Sequence, residues 1–195
     1  MPTRDQNLLR RLRQMRVLLI HPDDEERKML LAHLNRIGCQ VDSTWPAPES
    51  LPIHVDVVLF LLAPINDKST LSWLAEENAI ARIAIISFET PEILTQLERL
   101  NVHGVLSKPI RIFGVLAALT TAIGLARHES RLKRRIQSLD ETLKARRKIE
   151  QAVKILSETK NISEEAAYKR LRDKSQTSQT AITNIAEAII ASSDI

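Results

Sequence analysis

One cysteine, four glycines and an aromatic fraction of 3% are what this 195-residue sequence has little of, and each scarcity excludes something. With Cys39 alone, no intramolecular disulfide and no cysteine-based metal site can form. Four glycines leave no glycine loop to cradle a phosphate, and no catalytic constellation is visible, so the sequence predicts a protein that is not an enzyme. The low aromatic content argues against an RNA-binding sheet whose aromatic side chains stack on bases. The five histidines are scattered rather than set at ligand spacing, which predicts no metal, and nothing calls for a cofactor. No segment approaches the roughly 18 uninterrupted apolar residues of a membrane span. The N-terminus is arginine-rich without an apolar secretion core, so a cytoplasmic location is expected.

What is present is a hydrophobic content of 44%, enough for a core, and a net charge of +4 that is unevenly placed. From Ala126 to Arg172 there are fourteen Lys/Arg against seven Asp/Glu, a net of +7, so the rest of the chain is net −3. Such a concentration is the electrostatic mark of a polyanion-binding surface, although a solvated helix face gives the same pattern. Within it, Arg127 to Leu156 contains no Gly and no Pro, and Leu132, Ile136, Leu139 and Leu143 follow at steps of four, three and four. That spacing is a heptad seam and predicts a dimerising coiled coil with a basic exterior of Arg131, Lys133, Arg134, Arg135, Lys144, Arg146, Arg147 and Lys148. Continuing the heptad lands on Arg146 and Glu150, and the apolar positions shift to Ile149, Ala152, Val153 and Leu156. The same helix is expected to leave one packing partner there and enter another.

Taken in order, residues 1 to 15 suit a short amphipathic helix. Arg16 to Ile20 reads as a strand, and Met29, Leu30, Leu34 and Ile37 give the apolar face of a helix stopped by Gly38, with Asp23 and Asp24 at its start. Gln40 to Thr44 is a weak strand, Val55 to Leu62 a buried one, Leu71 to Ala79 a helix, and Arg82 to Phe88 another buried strand. Pro91 to Leu100 is a helix with Pro in its first turn, Val102 to Ser107 a fifth strand, and Ile110 onward is helical, with a bend expected near Gly124. Strand and helix alternate five times, which predicts an α/β fold, a doubly wound five-stranded parallel sheet. Beyond the rod, Ser163 reads as an N-cap before Glu164 and Glu165. Ala167, Tyr168 and Leu171 are read as the inner face of a second helix, Asp173 to Thr180 as a polar loop, and Ile182, Ile185, Ala186, Ile189 and Ile190 as the face of a third. The expected domains are 1–125, a coiled-coil helix over 126–145, and a small three-helix domain over 146–195.

The first 125 residues resemble a response-regulator receiver (flavodoxin-like) domain, whose marks are an acidic pair after the first strand, a phosphoacceptor Asp after the third, Ser/Thr after the fourth and Lys-Pro after the fifth. Ser87 and Lys108-Pro109 match, whereas the acidic pair falls on His21 and Pro22 and the phosphoacceptor on Leu61. Leucine cannot accept a phosphoryl group, and Mg²⁺ needs clustered carboxylates, so the resemblance implies a pseudo-receiver with a degenerate pocket and control by a partner protein.

Residues 140 to 190 resemble the ANTAR domain through Arg146, Ile149, Gln151 and Ala152, then Ser163, Ala167-Tyr168, Leu171-Arg172, Ser175, Ile182 and Ile185 to Ile189. Two departures are Lys154, one position later than the family's lysine, and Ser157, where the family prefers Met. The whole chain is similar to a family of amidase-operon antiterminators that join a pseudo-receiver, a coiled coil and an ANTAR domain. The resemblance implies a cytoplasmic, dimeric RNA-binding regulator that acts by transcription antitermination on leader RNA hairpins. It also implies silencing by an amide-sensing negative regulator of the periplasmic-binding-protein type. Arg146, Lys148, Lys154, Lys169, Arg170 and Arg172 are the candidates for phosphates, Gln151 for a base edge and Tyr168 for stacking. A DNA-binding response regulator and a protein-only dimeric adaptor are the alternatives.

Overall fold

The structure, a computed structural model, describes residues 13–62, 71, 73–74 and 80–193. Five strands, β1 (Arg16–Ile20), β2 (Gln40–Thr44), β3 (Val57–Leu62), β4 (Ala81–Ile86) and β5 (Gly104–Ser107), form one parallel sheet in the order β2-β1-β3-β4-β5. The register pairs Val17 with Val57, Leu59 with Ile83 and Ile86 with Ser107. The doubly wound expectation therefore holds. The N-terminal amphipathic reading falls mostly on residues 1–12 and the helix over 71–79 mostly on 72 and 75–79, which lie outside the described residues.

Because side chains alternate across a strand, each central strand feeds two cores. Leu19, Val57, Leu59, Ile83 and Ile85 face one side. There they pack with Leu30 and Leu34 of α1 (Glu25–Ile37) and with Val115, Leu119 and Ala122 of α3 (Ile112–Lys160). Leu18, Ile20, Val58, Phe60, Ala84 and Ile86 face the other, with Leu74 and with Ile93 of α2 (Pro91–Arg99). This is why Val57 to Phe60 and all of β4 are buried with no polar alternation.

Helix α1 is fixed at both ends by its own sequence. Asp24 is the N-cap and accepts the Arg27 backbone N–H at 2.9 Å, with Glu25 and Glu26 in the first turn at the positive end of the dipole. Gly38 ends it at φ 98°, where a side chain would be strained, and a Cβ there would also stand 2.8 Å from Arg13 Cγ. The N–H bond from Arg27, and next the nearby His21 and Lys108, hold the Asp24 carboxyl below its ordinary pKa against a smaller desolvation cost. A depressed folded pKa contributes stability above the unfolded pKa that is lost as pH falls through the folded one. Replacing Asp24 with Ala should therefore cost about 1 kcal/mol at neutral pH. The wild-type and variant urea curves should converge in acid; a gap that persists after full protonation contradicts the cap assignment.

Helix α3 runs 49 residues without interruption, through Gly114 and Gly124. Its stripe of Val115, Leu119, Ala122, Ile123 and Ala126 is buried, but from Arg131 to Lys144 every residue is exposed. That span includes Leu132, Ile136, Leu139 and Leu143, whose exposures are 47, 65, 55 and 54%. Burial returns at Ala152 and Val153. The chain divides into two compact units, Met1–Leu132 and Lys133–Ile195.

In the second unit α4 (Glu164–Ser178) and α5 (Ile182–Ser193) follow α3. Ser163 caps α4, its hydroxyl accepting from Ala166 N at 3.3 Å. The core is small: Ala152, Leu171 and Ala186 are buried, with Ile149, Ile182, Ile185, Ile189 and Ile190 packed against them. Two expectations are corrected here. Asp173 to Ser178 is helix, not loop; Thr177 and Ser178 donate their hydroxyls to the carbonyls of Asp173 and Lys174, so polar composition does not end the helix. It ends at Gln179, in the left-handed conformation at φ 52°. Tyr168 is 46% exposed and is not part of the inner face, which Ala167 and Leu171 form one turn apart.

Candidate functional site

Two places were singled out by sequence, and each is built by its own unit. The first lies at the C-terminal ends of the strands. His21 follows β1 and is fully buried, its Nδ1 3.0 Å from Pro22 O and 3.4 Å from Asp24 Oδ1. Lys108 follows β5, its backbone N–H donating to Ile86 O at 2.8 Å, and its ammonium lies 2.5 Å from Glu26 Oε2. Ser87 is exposed after β4, and Leu61 stands in β3 as a hydrocarbon that packs on the core. His21, Asp24 and Glu26 offer ligand atoms within 4.8 Å of one another, but Glu26 is already engaged by Lys108. The lysine that would face a phosphoryl group in a receiver is thus neutralised by the first turn of α1. Sequence reading missed Glu26 because its position marks it only as a favourable first-turn acid.

The second place is the three-helix unit, and there the six cationic candidates separate into two groups. Arg146 Nε is paired with Glu150 Oε1 at 2.8 Å, one turn on, and Lys148 Nζ with Glu187 Oε1 of α5 at 2.5 Å. Lys154, Lys169, Arg170 and Arg172 are exposed and have no ion-pair partner among the described residues. Gln151 and Lys154 lie three residues apart on α3, while Tyr168 and Arg172 lie four apart on α4, so each pair shares a helix face. The surface offers free cations, a half-exposed aromatic ring and one amide, the groups that bind phosphates, stack on a base and read a base edge. Ser175 is turned inward, its hydroxyl donating to Thr180 O at 2.7 Å, and has a structural task in ending α4.

Fold and sites together define a receiver-like α/β domain, continued along the chain by a long helix into a three-helix unit. Comparison with known families places it further. Residues 15–123 match the family model described as AmiR, N-terminal, and residues 137–190 match the ANTAR domain. The first match covers more than half of the chain, which therefore belongs to the AmiR family, with an ANTAR domain following the AmiR N-terminal domain. The chain is 29% identical over 186 residues to the aliphatic amidase regulator of Pseudomonas aeruginosa, covering 94% of this chain and 95% of that one. Among solved structures it is similar to a CheY-like response regulator protein from Mesorhizobium loti, with 19% identity, a TM-score of 0.49, and 56% and 98% of the two chains covered. It is likewise similar to a pilus assembly-related protein from Burkholderia pseudomallei, with 15% identity, a TM-score of 0.49, and 58% and 92% covered. Among the described residues, no helix is long and apolar enough to cross a membrane.

Proposed function

We propose that this protein is a dimeric transcription antiterminator that binds leader RNA hairpins through residues 146–195. It would act on an amidase-type catabolic operon, under the control of an amide-sensing protein of the periplasmic-binding-protein type. The observation that carries the reading is the presence, in one chain, of an AmiR N-terminal match and an ANTAR match that together run from residue 15 to residue 190. The similarity over almost the full length of an aliphatic amidase regulator supports the choice of operon. Dimerisation is supported by the four exposed seam residues, Leu132, Ile136, Leu139 and Leu143, since a helix leaves such a stripe in water only at a cost. The domains in this reading are 1–125, 126–145 and 146–195.

A gel-shift titration compares a leader RNA hairpin with duplex DNA of the same sequence. The RNA should bind more tightly, and preference for the duplex would favour the DNA-binding alternative instead. Control by phosphorylation is not part of the proposal, because position 61 has no carboxylate and Lys108 is held by Glu26. Incubation with acetyl phosphate and Mg²⁺ should therefore leave the mass of the protein unchanged. Stoichiometric gain of one phosphoryl group would contradict it.

A further inference from the structure

Arg82 lies in β4, an otherwise apolar strand, and its side chain is 1% exposed. Its Nη1 donates to Leu74 O at 2.7 Å, and its Nη2 lies 3.5 Å from Glu129 Oε2 on α3. His103, just before β5, accepts the Arg82 backbone N–H at Nδ1, 3.1 Å away. The proton of the neutral ring therefore sits on Nε2, 2.9 Å from the same Glu129 oxygen. Burial draws the guanidinium below its ordinary pKa, and the Glu129 carboxylate opposes that pull. A charge buried this deeply is tolerated only when paired, and Glu129 supplies the pair.

Glu129 also stands where two stripes of α3 meet. It lies three residues past Ala126, the last fully buried member of the stripe that packs on the sheet. It also lies three before Leu132, so the alternating heptad steps, carried back from Leu143, pass through Glu129 to Leu125. Leu125 is 49% exposed. The seam pattern is therefore one heptad longer than the apolar run suggests, interrupted by one carboxylate that is held elsewhere.

We infer that Glu129 is a stop for the seam: bound by Arg82 and His103, it keeps its own position and Leu125 out of the contact between two copies of this chain, which begins at Leu132. Releasing Glu129 lets the contact run one heptad further towards the N-terminus. The inference rests on the dimer reading above and adds to it where the interface starts and which residues set that point. A carboxylate facing its symmetry mate in a seam is repelled, so the inward pair both neutralises Glu129 and confines it.

The test is sedimentation equilibrium on the full chain. The single variant Glu129→Leu strands Arg82, so it is paired with Arg82→Met/Glu129→Leu, which removes both charges at similar volume and should retain the wild-type circular dichroism and melting curve. The double variant should dimerise more tightly than wild type by about a hundredfold or more, because Leu125 and the leucine side chain replacing Glu129 enter the contact from both chains. Leu125→Lys should leave the wild-type dimer constant unchanged but cancel the gain when added to the double variant. The stop is overturned if the folded double variant dimerises no more tightly, or if Leu125→Lys weakens the wild-type dimer. A wild-type chain that stays monomeric overturns the dimer reading itself, a result distinct from an unaltered dimer constant.

Discussion

Lysines at positions 136 and 139 should abolish the proposed dimer. Leu132, Ile136, Leu139 and Leu143 are all about half exposed or more in the single chain, and a seam would bury them against the same residues of a second copy. Full burial of an exposed aliphatic side chain contributes about 1.5–3 kcal/mol and these are already about half buried, so losing two from each chain removes about 3 kcal/mol or more, upwards of a hundredfold in the dimer constant. Desolvation of the new ammonium groups adds to that. Lysine is a good helix former, so the far-ultraviolet dichroism should not change and the loss belongs to the interface. Sedimentation equilibrium of Ile136→Lys/Leu139→Lys should show a monomer at concentrations where wild type is dimeric. An unchanged dimer would place the contact elsewhere.

The second large effect concerns the cations of the three-helix unit. Reversing Lys154, Lys169, Arg170 and Arg172 to Glu should weaken binding to a leader RNA hairpin by about two to three orders of magnitude at moderate salt and flatten its salt dependence, because each phosphate contact releases counterions. Dimerisation should be unaffected, since all four lie beyond the seam. Reversing Arg146 and Lys148 should do less, because both already sit against Glu150 and Glu187 and project less net charge. Filter binding over a salt series measures both the affinity and the slope. If the Arg146 and Lys148 pair proves the more sensitive, the division of the surface drawn from these ion pairs is wrong.

What could be read from the sequence was what local physics decides. Val57 to Leu62 announces a strand buried on both faces, Gly38 the end of α1, and Ser163 the start of α4, because each depends on a few neighbouring residues. The continuous helix over Arg127 to Leu156 was legible for the same reason. The Arg82, His103 and Glu129 cluster was not, since it joins three elements distant in sequence and its one local sign is an arginine in an apolar strand. The Lys108–Glu26 pair was hidden likewise. The polar end of α4 was misread because hydroxyls bonded back to the preceding turn let a helix continue through a composition typical of loops. Tyr168 was misplaced by a single position in the helical period, 100° of rotation, enough to move a ring from the core to the surface.

The salt bridge between Lys108 and Glu26 has a bearing on timing. A receiver that takes up a phosphoryl group holds a covalent record, which persists until it is hydrolysed and so needs an erasing activity. In this chain the lysine is answered by Glu26 in the first turn of α1, and in the function proposed above no record is written. Under partner control, the lifetime of the active state is then set by how quickly two proteins part and rejoin, and its level by their relative abundance.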